Sequence, residues 1–142
     1  MYTNILVAVE HSDADAAVLD HIERLARLTG ARLLLVHVAD GWAARYFEDL
    51  QLRESEEIRS DREYLARLSA GLAARGLDVR ARLAMGDPAS ELAKVAQEEH
   101  VDLIAMSTHG HRFLADLLHG STADRLRHSV TVPVLMVRAG RK

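Results

Sequence analysis

The sequence predicts an α/β fold: one parallel sheet of five strands with helices on both faces. Two observations predict it. Short, unbroken apolar runs rich in branched residues recur along the chain, the pattern of strands buried on both faces. Segments of helical period lie between them, so the elements alternate as βαβαβαβαβ. No repeat and no linker breaks the alternation, and residues 1–142 are read as a single domain with one core.

Residues 4–9 (NILVAV) form the first buried-strand run. Ser12 or Asp13 is placed to cap the helix that follows, since each offers an oxygen to the free N–H groups of a helix start. Ala17, Leu19, Ile22, Leu25, Ala26 and Leu28 give that helix its apolar spacing, and Thr29-Gly30 ends it with a residue suited to a left-handed turn. Residues 32–38 (RLLLVHV) are the second strand. A charged helix spans residues 48–75 with a thin apolar stripe of Leu52, Ile58, Leu65, Leu68 and Leu72. Its first half (LRESEEIRSDRE) is polar enough to predict a solvated face. Residues 77–85 alternate apolar and charged side chains, which fits an edge strand. Gly86-Asp87-Pro88 turns into a helix to Glu99, with Pro88 at a first helical position and Leu92, Ala93, Val95 and Ala96 facing inward. Residues 101–106 form another buried strand, and a helix over residues 121–128 leads to the last strand, 132–138.

Right-handed crossovers limit the topology. In the strand order 3-2-1-4-5, a crevice opens at the carboxyl ends of the first and fourth strands, where ligands of such sheets bind. Glu10 and the turn over residues 107–110 then face each other across it. The segment after the fourth strand has the makings of an anion site. It breaks at Gly110, runs nine residues (111–119) to Gly120, and meets Ser121 and Thr122 at a helix start. Backbone N–H groups there are unpaired, and the helix dipole favours negative charge. The plainer reading is a turn and a cap, with Ser121 capping its helix whether or not a phosphate is present. Arg112 can pair with a phosphate or stand in solvent.

Composition removes several classes. There is no cysteine, which excludes disulfides, thiolate metal sites and cysteine nucleophiles. A net charge of −3 argues against binding nucleic acid through a basic surface. No apolar run approaches the roughly 20 residues of a membrane helix, and the opening MYTNILVAVEHSD lacks a signal-peptide pattern. The cytosol is the expected compartment.

Eight histidines are many for this length. His109, His111 and His119 cluster in the loop segment, with His11 across the crevice. Their spacing matches no established zinc pattern, so no metal site is expected; His109 is read as a loop-fixing residue and His37 as a satisfied core residue. Glu10 with Asp13 or Asp15 could form a paired-carboxylate site, but acidic residues at a helix start are expected on electrostatic grounds. No catalytic arrangement is legible, and slow hydrolysis of a bound triphosphate is the most the residues suggest. Trp42, Tyr46 and Phe47 are read as packing beneath a loop, with a lid as the alternative. The last strand, VPVLMVR, is apolar on both faces at a sheet edge, and Pro133 suits an edge. A second copy pairing along residues 132–138 would cover it, which predicts a homodimer.

Ser107-Thr108-His109-Gly110, nine residues, then Gly120-Ser121 resemble the phosphate signature of the universal stress protein family. NILVAVEHS is similar to that family's first strand and turn, LLLVHV to its second strand, GDPASEL to its third helix start and VPVLMVR to its last strand. The resemblance implies the adenine nucleotide alpha hydrolase-like fold, a cytoplasmic dimer, and in some members binding of ATP, with Mg²⁺ on a bound triphosphate. It implies a nucleotide site of Ala8, Val9, Glu10, Val38, Met106, Ser107, His109, Gly110, His111, Arg112, Gly120, Ser121 and Thr122. Two positions depart from the family pattern: Ser107 replaces its first glycine, and Glu10 replaces an aspartate. These departures keep open a second reading, a dimeric interaction protein of the same fold that does not bind nucleotide.

Overall fold

The computed structural model describes residues 1–40, 47–108 and 122–139, with the backbone alone for residues 40 and 47–55. Five strands form one parallel sheet in the order β3-β2-β1-β4-β5. The strands are β1 (Asn4–Ala8), β2 (Arg32–Asp40), β3 (Val79–Gly86), β4 (Leu103–Ser107) and β5 (Val134–Val137). The described helices are α1 (Asp15–Thr29), α2 (Phe47–Ala74), α3 (Pro88–Glu98) and α4 (Thr122–Ser129). The predicted fold class and strand order are both observed.

Strand alternation sends side chains to two cores. Ile5, Val7, Leu33, Leu35, Leu103 and Ala105 pack beneath α1 and α2, against Val18, Ile22, Ala26, Leu65 and Leu72. Leu6, Leu34, Val36, Ile104 and Met106 face the other way, against Leu92, Val95 and Ala96 of α3 and Leu126 of α4. Both faces of β1 and β4 are therefore dry, which is why their sequences read as continuous apolar runs. Asp102 fastens the two central strands. Its carboxylate accepts from the Thr3 and Asn4 N–H groups at 2.8 and 3.1 Å and from the Thr3 hydroxyl at 2.9 Å. Partial burial works against ionisation there, yet these donors outweigh it and hold the carboxyl below its ordinary range.

Several local expectations need correction. Ser12 does serve the start of α1, its hydroxyl accepting from the Ala14 N–H at 3.2 Å, while Ala14 stands at the N-cap with no side-chain cap bond of its own. The N–H groups of the turn before it are satisfied by Asp15, inside the first turn. Leu28 is 85 % exposed, while Val18 is fully buried. The inward face of α1 runs through Asp15, Val18, Ile22 and Ala26, a stripe rotated from the one chosen by apolarity alone. Three strands begin two residues later than expected, at Val79, Leu103 and Val134. The end of α1 is as expected, with Gly30 at φ 74° donating its N–H to Ala26. Asp87 caps α3, accepting from the Ser90 N–H at 3.0 Å, with Pro88 in the first helical position. The charged pattern of β3 does mark an edge, where Arg80 and Arg82 reach to Glu99 and Glu98 at 2.8 Å.

Candidate functional site

Parallel strands whose crossovers leave in opposite directions open a crevice at their carboxyl ends. β1, with β2 on one side and β4 on the other, is that point in this sheet. A cleft of about 820 Å³ lies there. Ala8 ends β1 and Val9 and Glu10 continue from it, Val36 to Ala39 lie in the second half of β2, and Met106 and Ser107 end β4. Thr122 and Arg125 approach from α4, Asp87, Pro88 and Leu92 from the start of α3, and Glu57, Ile58, Ser60 and Asp61 from α2.

Of the residues expected at a nucleotide site, Ala8, Val9, Glu10, Val38, Met106, Ser107 and Thr122 share these walls. Ser107 closes β4 opposite Val137, 5 % exposed. His109, Gly110, His111, Arg112, His119, Gly120 and Ser121 lie outside the described residues, as do Trp42, Tyr46 and the side chain of Phe47.

The wall after β1 is built around a buried carboxylate. Asp15 is 1 % exposed. It accepts from the Glu10 N–H at 2.8 Å, the His11 N–H at 2.9 Å and the Ser12 N–H at 3.3 Å. The Tyr64 hydroxyl of α2 adds a fourth donor at 2.5 Å. Burial first, then the hydrogen bond to Asp15, pushes the Tyr64 phenol well above its ordinary range. Asp15 is therefore a fixed support for the turn that presents Glu10, and not a partner in a carboxylate pair.

A second carboxylate enters from the helix expected to be solvated. Asp61 of α2 is 8 % exposed. One oxygen lies 2.8 Å from His11 Nδ1 and the other 3.4 Å from His37 Nε2. His37 Nδ1 donates to the Val9 carbonyl at 2.9 Å. His37 is thus satisfied, as expected, but it also lines the cleft. The His11 ring stacks on Tyr64 with centroids 4.1 Å apart and planes 17° apart. Sequence reading missed Asp61 and Tyr64. One signal was present: Asp61 occupies the place in the stripe of Leu65, Leu68 and Leu72 where an apolar residue would continue it.

The opposite wall is more open. Arg125 grips Asp87 with two parallel bonds of 3.0 and 2.9 Å. The guanidinium first, opposed by partial burial, and then the Ser90 hydroxyl and N–H hold the Asp87 carboxyl down to about 2. No group of three or more His, Asp or Glu side chains among the described residues is arranged to hold a metal ion. Nor, among those residues, is any helix long and apolar enough to cross a membrane.

Residues 1–138 match the model of the universal stress protein family. Universal stress protein MJ0577 of Methanocaldococcus jannaschii is 26 % identical, over 97 % of this chain and 96 % of its own length. Its solved structure superposes with a TM-score of 0.88 at 25 % identity, covering 100 % of this chain and 99 % of that one. A universal stress protein of Archaeoglobus fulgidus, solved in complex with dAMP, superposes at 0.72 with 24 % identity over 96 % and 98 % of the two chains. A universal stress protein solved in complex with cAMP gives a TM-score of 0.72 at 21 % identity over 98 % of each chain.

Proposed function

The chain belongs to the universal stress protein family, and on that premise we propose that it binds ATP or another adenine nucleotide as a regulatory module of a stress response. The observation that carries this is the cleft: its walls bring Glu10, Val38, Met106, Ser107 and Thr122 together at the carboxyl ends of β1, β2 and β4. The residues suit the ligand. Val38, Met106 and Leu92 offer apolar surface to a base, and Glu10 offers an acceptor to ribose hydroxyls. Thr122, at the start of α4, sits where N–H groups and the helix dipole favour phosphate. His109, Gly110, His111, Arg112, Gly120 and Ser121 complete the proposed phosphate side. Mg²⁺ would arrive on the triphosphate, as the counter-charge that enzymes and sensors of ATP share. Two proteins of this fold are solved with dAMP and cAMP, which makes an adenine nucleotide the first ligand to test.

The proposed unit is one domain over residues 1–142, acting in the cytoplasm as a homodimer joined along residues 132–138. The edge position of β5 and the exposure of Met136 support that contact. A monomeric mass at micromolar concentration would overturn it. Calorimetry with ATP and Mg²⁺ tests the ligand. Saturable heat is expected, abolished by Gly120→Val and kept or strengthened by Ser107→Gly. No heat and no thermal stabilisation at millimolar ATP would leave the second reading, a nucleotide-free interaction protein. Ser107 in place of a glycine and Glu10 in place of an aspartate favour that reading, since a side chain at Ser107 narrows the approach of a phosphate and Glu10 shifts the carboxylate by a methylene.

A further inference from the structure

Resting on the nucleotide reading, we propose that His11 is a ligand-contact residue whose Nε2 accepts a hydrogen bond from the nucleoside, with Asp61 as its positioning residue. His11 sits in left-handed backbone at φ 65°. A non-glycine residue there is strained, and such strain persists only where the surroundings over-determine it. Here they do. The His11 N–H is held by Asp15, its ring lies flat on Tyr64, and its Nδ1 is 2.8 Å from Asp61.

The hydrogen-bond chemistry then fixes the outer edge of the ring. A carboxylate only accepts, so in the neutral ring the bond to Asp61 places the proton on Nδ1 and leaves Nε2 with its lone pair. Nε2 has no hydrogen-bond partner among the described residues, and His11 lines the cleft beside Glu10. The His11 side chain keeps 30 % of its surface exposed, against 10 % for Asp61. Stabilising the turn does not require this arrangement, because Asp15 already satisfies its N–H groups. Asp61, His37 and Tyr64 face the ring, and Glu10 and Asp15 add carboxylates on the same turn. A lone pair among these acidic groups recognises a donor. In an adenine nucleotide the candidates are a ribose hydroxyl and the exocyclic amine.

Calorimetry with ATP, 2′-deoxy-ATP, 3′-deoxy-ATP and inosine triphosphate separates the two sources. The wild-type chain should lose about tenfold in affinity for the analogue that lacks the donor. His11→Phe keeps the ring against Tyr64; it should lose about tenfold for ATP and nothing further for that analogue. Equal weakening for every nucleotide, or none, would overturn the assignment while leaving the nucleotide reading intact. Failure of the wild-type chain to bind any of the four removes both. Nitrogen NMR supplies a readout independent of affinity. The Nδ1–H tautomer is expected at His11, retained in Asp61→Asn, whose amide oxygen still accepts, and lost in Asp61→Leu. An Nε2–H tautomer in the wild-type protein would sink the proposal.

Discussion

The two walls of the cleft each rest on an aspartate, and the two aspartates are opposites. Asp15 is 1 % exposed and takes four donors, three from backbone N–H groups and one from Tyr64. The Asp87 side chain keeps 43 % of its surface exposed and shares itself between the α3 cap and Arg125. Distances are alike on both sides, near 3 Å. What differs is water. A buried carboxylate surrounded by donors cannot lose them without leaving orphans on both sides of each bond. An exposed ion pair is screened and readily replaced by solvent. One wall is therefore fixed and the other can yield, with the strands between them.

Asp15→Ala should break the contrast most severely, since three partly buried N–H groups and Tyr64 lose their acceptor. A loss of about 3 kcal/mol is expected, read as a lowered urea midpoint with an unchanged slope. Tyr64→Phe removes one donor and leaves the carboxylate otherwise served, for about 1 kcal/mol. Asp87→Ala on the open wall should cost about 1 kcal/mol through the lost cap. A larger effect than that of Asp15→Ala would reverse the comparison.

The smallest effect is a matter of pH. Asp87 is held down to about 2 in the folded chain, against an ordinary value of 3.8. A carboxyl depressed by folding stabilises above its ordinary value, and that stabilisation fades as pH falls through the folded one. Wild-type stability should therefore drop between about pH 4 and pH 2 more than that of Asp87→Ala. Arg125→Ala should flatten the same window by returning Asp87 towards its ordinary range. Urea titrations at pH 5 and pH 2.5 check both.

The same contrast separates what the sequence reveals from what it conceals. The sheet was legible because β1, β2 and β4 are apolar on both faces and need no partner identity to be recognised. Ser107, Glu10 and Val38 were legible as site residues because topology puts strand ends together whatever their side chains. The supports were not. Asp15 and Asp61 stand at positions where an apolar stripe should continue, Asp15 before Val18 and Ile22, Asp61 before Leu65 and Leu68. A charge in such a place reads as solvated until its donors are known, and those donors come from other elements. Asp15 needed Tyr64, 49 positions away, and Asp61 needed His11, 50 positions away. Periodicity reports which face a residue occupies; it does not report who meets it there.

The Asp102 clamp has a consequence for the order in which the chain can become itself. It joins Asp102 to Asn4 and Thr3 across separations of 98 and 99 positions. During synthesis β1 can pair with β2 as soon as both are made, which buries one edge of the strand. Its other edge waits for β4, through the production of α2, β3 and α3. Until then a strand whose Ile5, Leu6 and Val7 end fully buried presents open backbone to its surroundings. β1 is translated before the other strands of the sheet and is among the last to be completed, and the interval between is when a nascent chain most needs shelter from its neighbours.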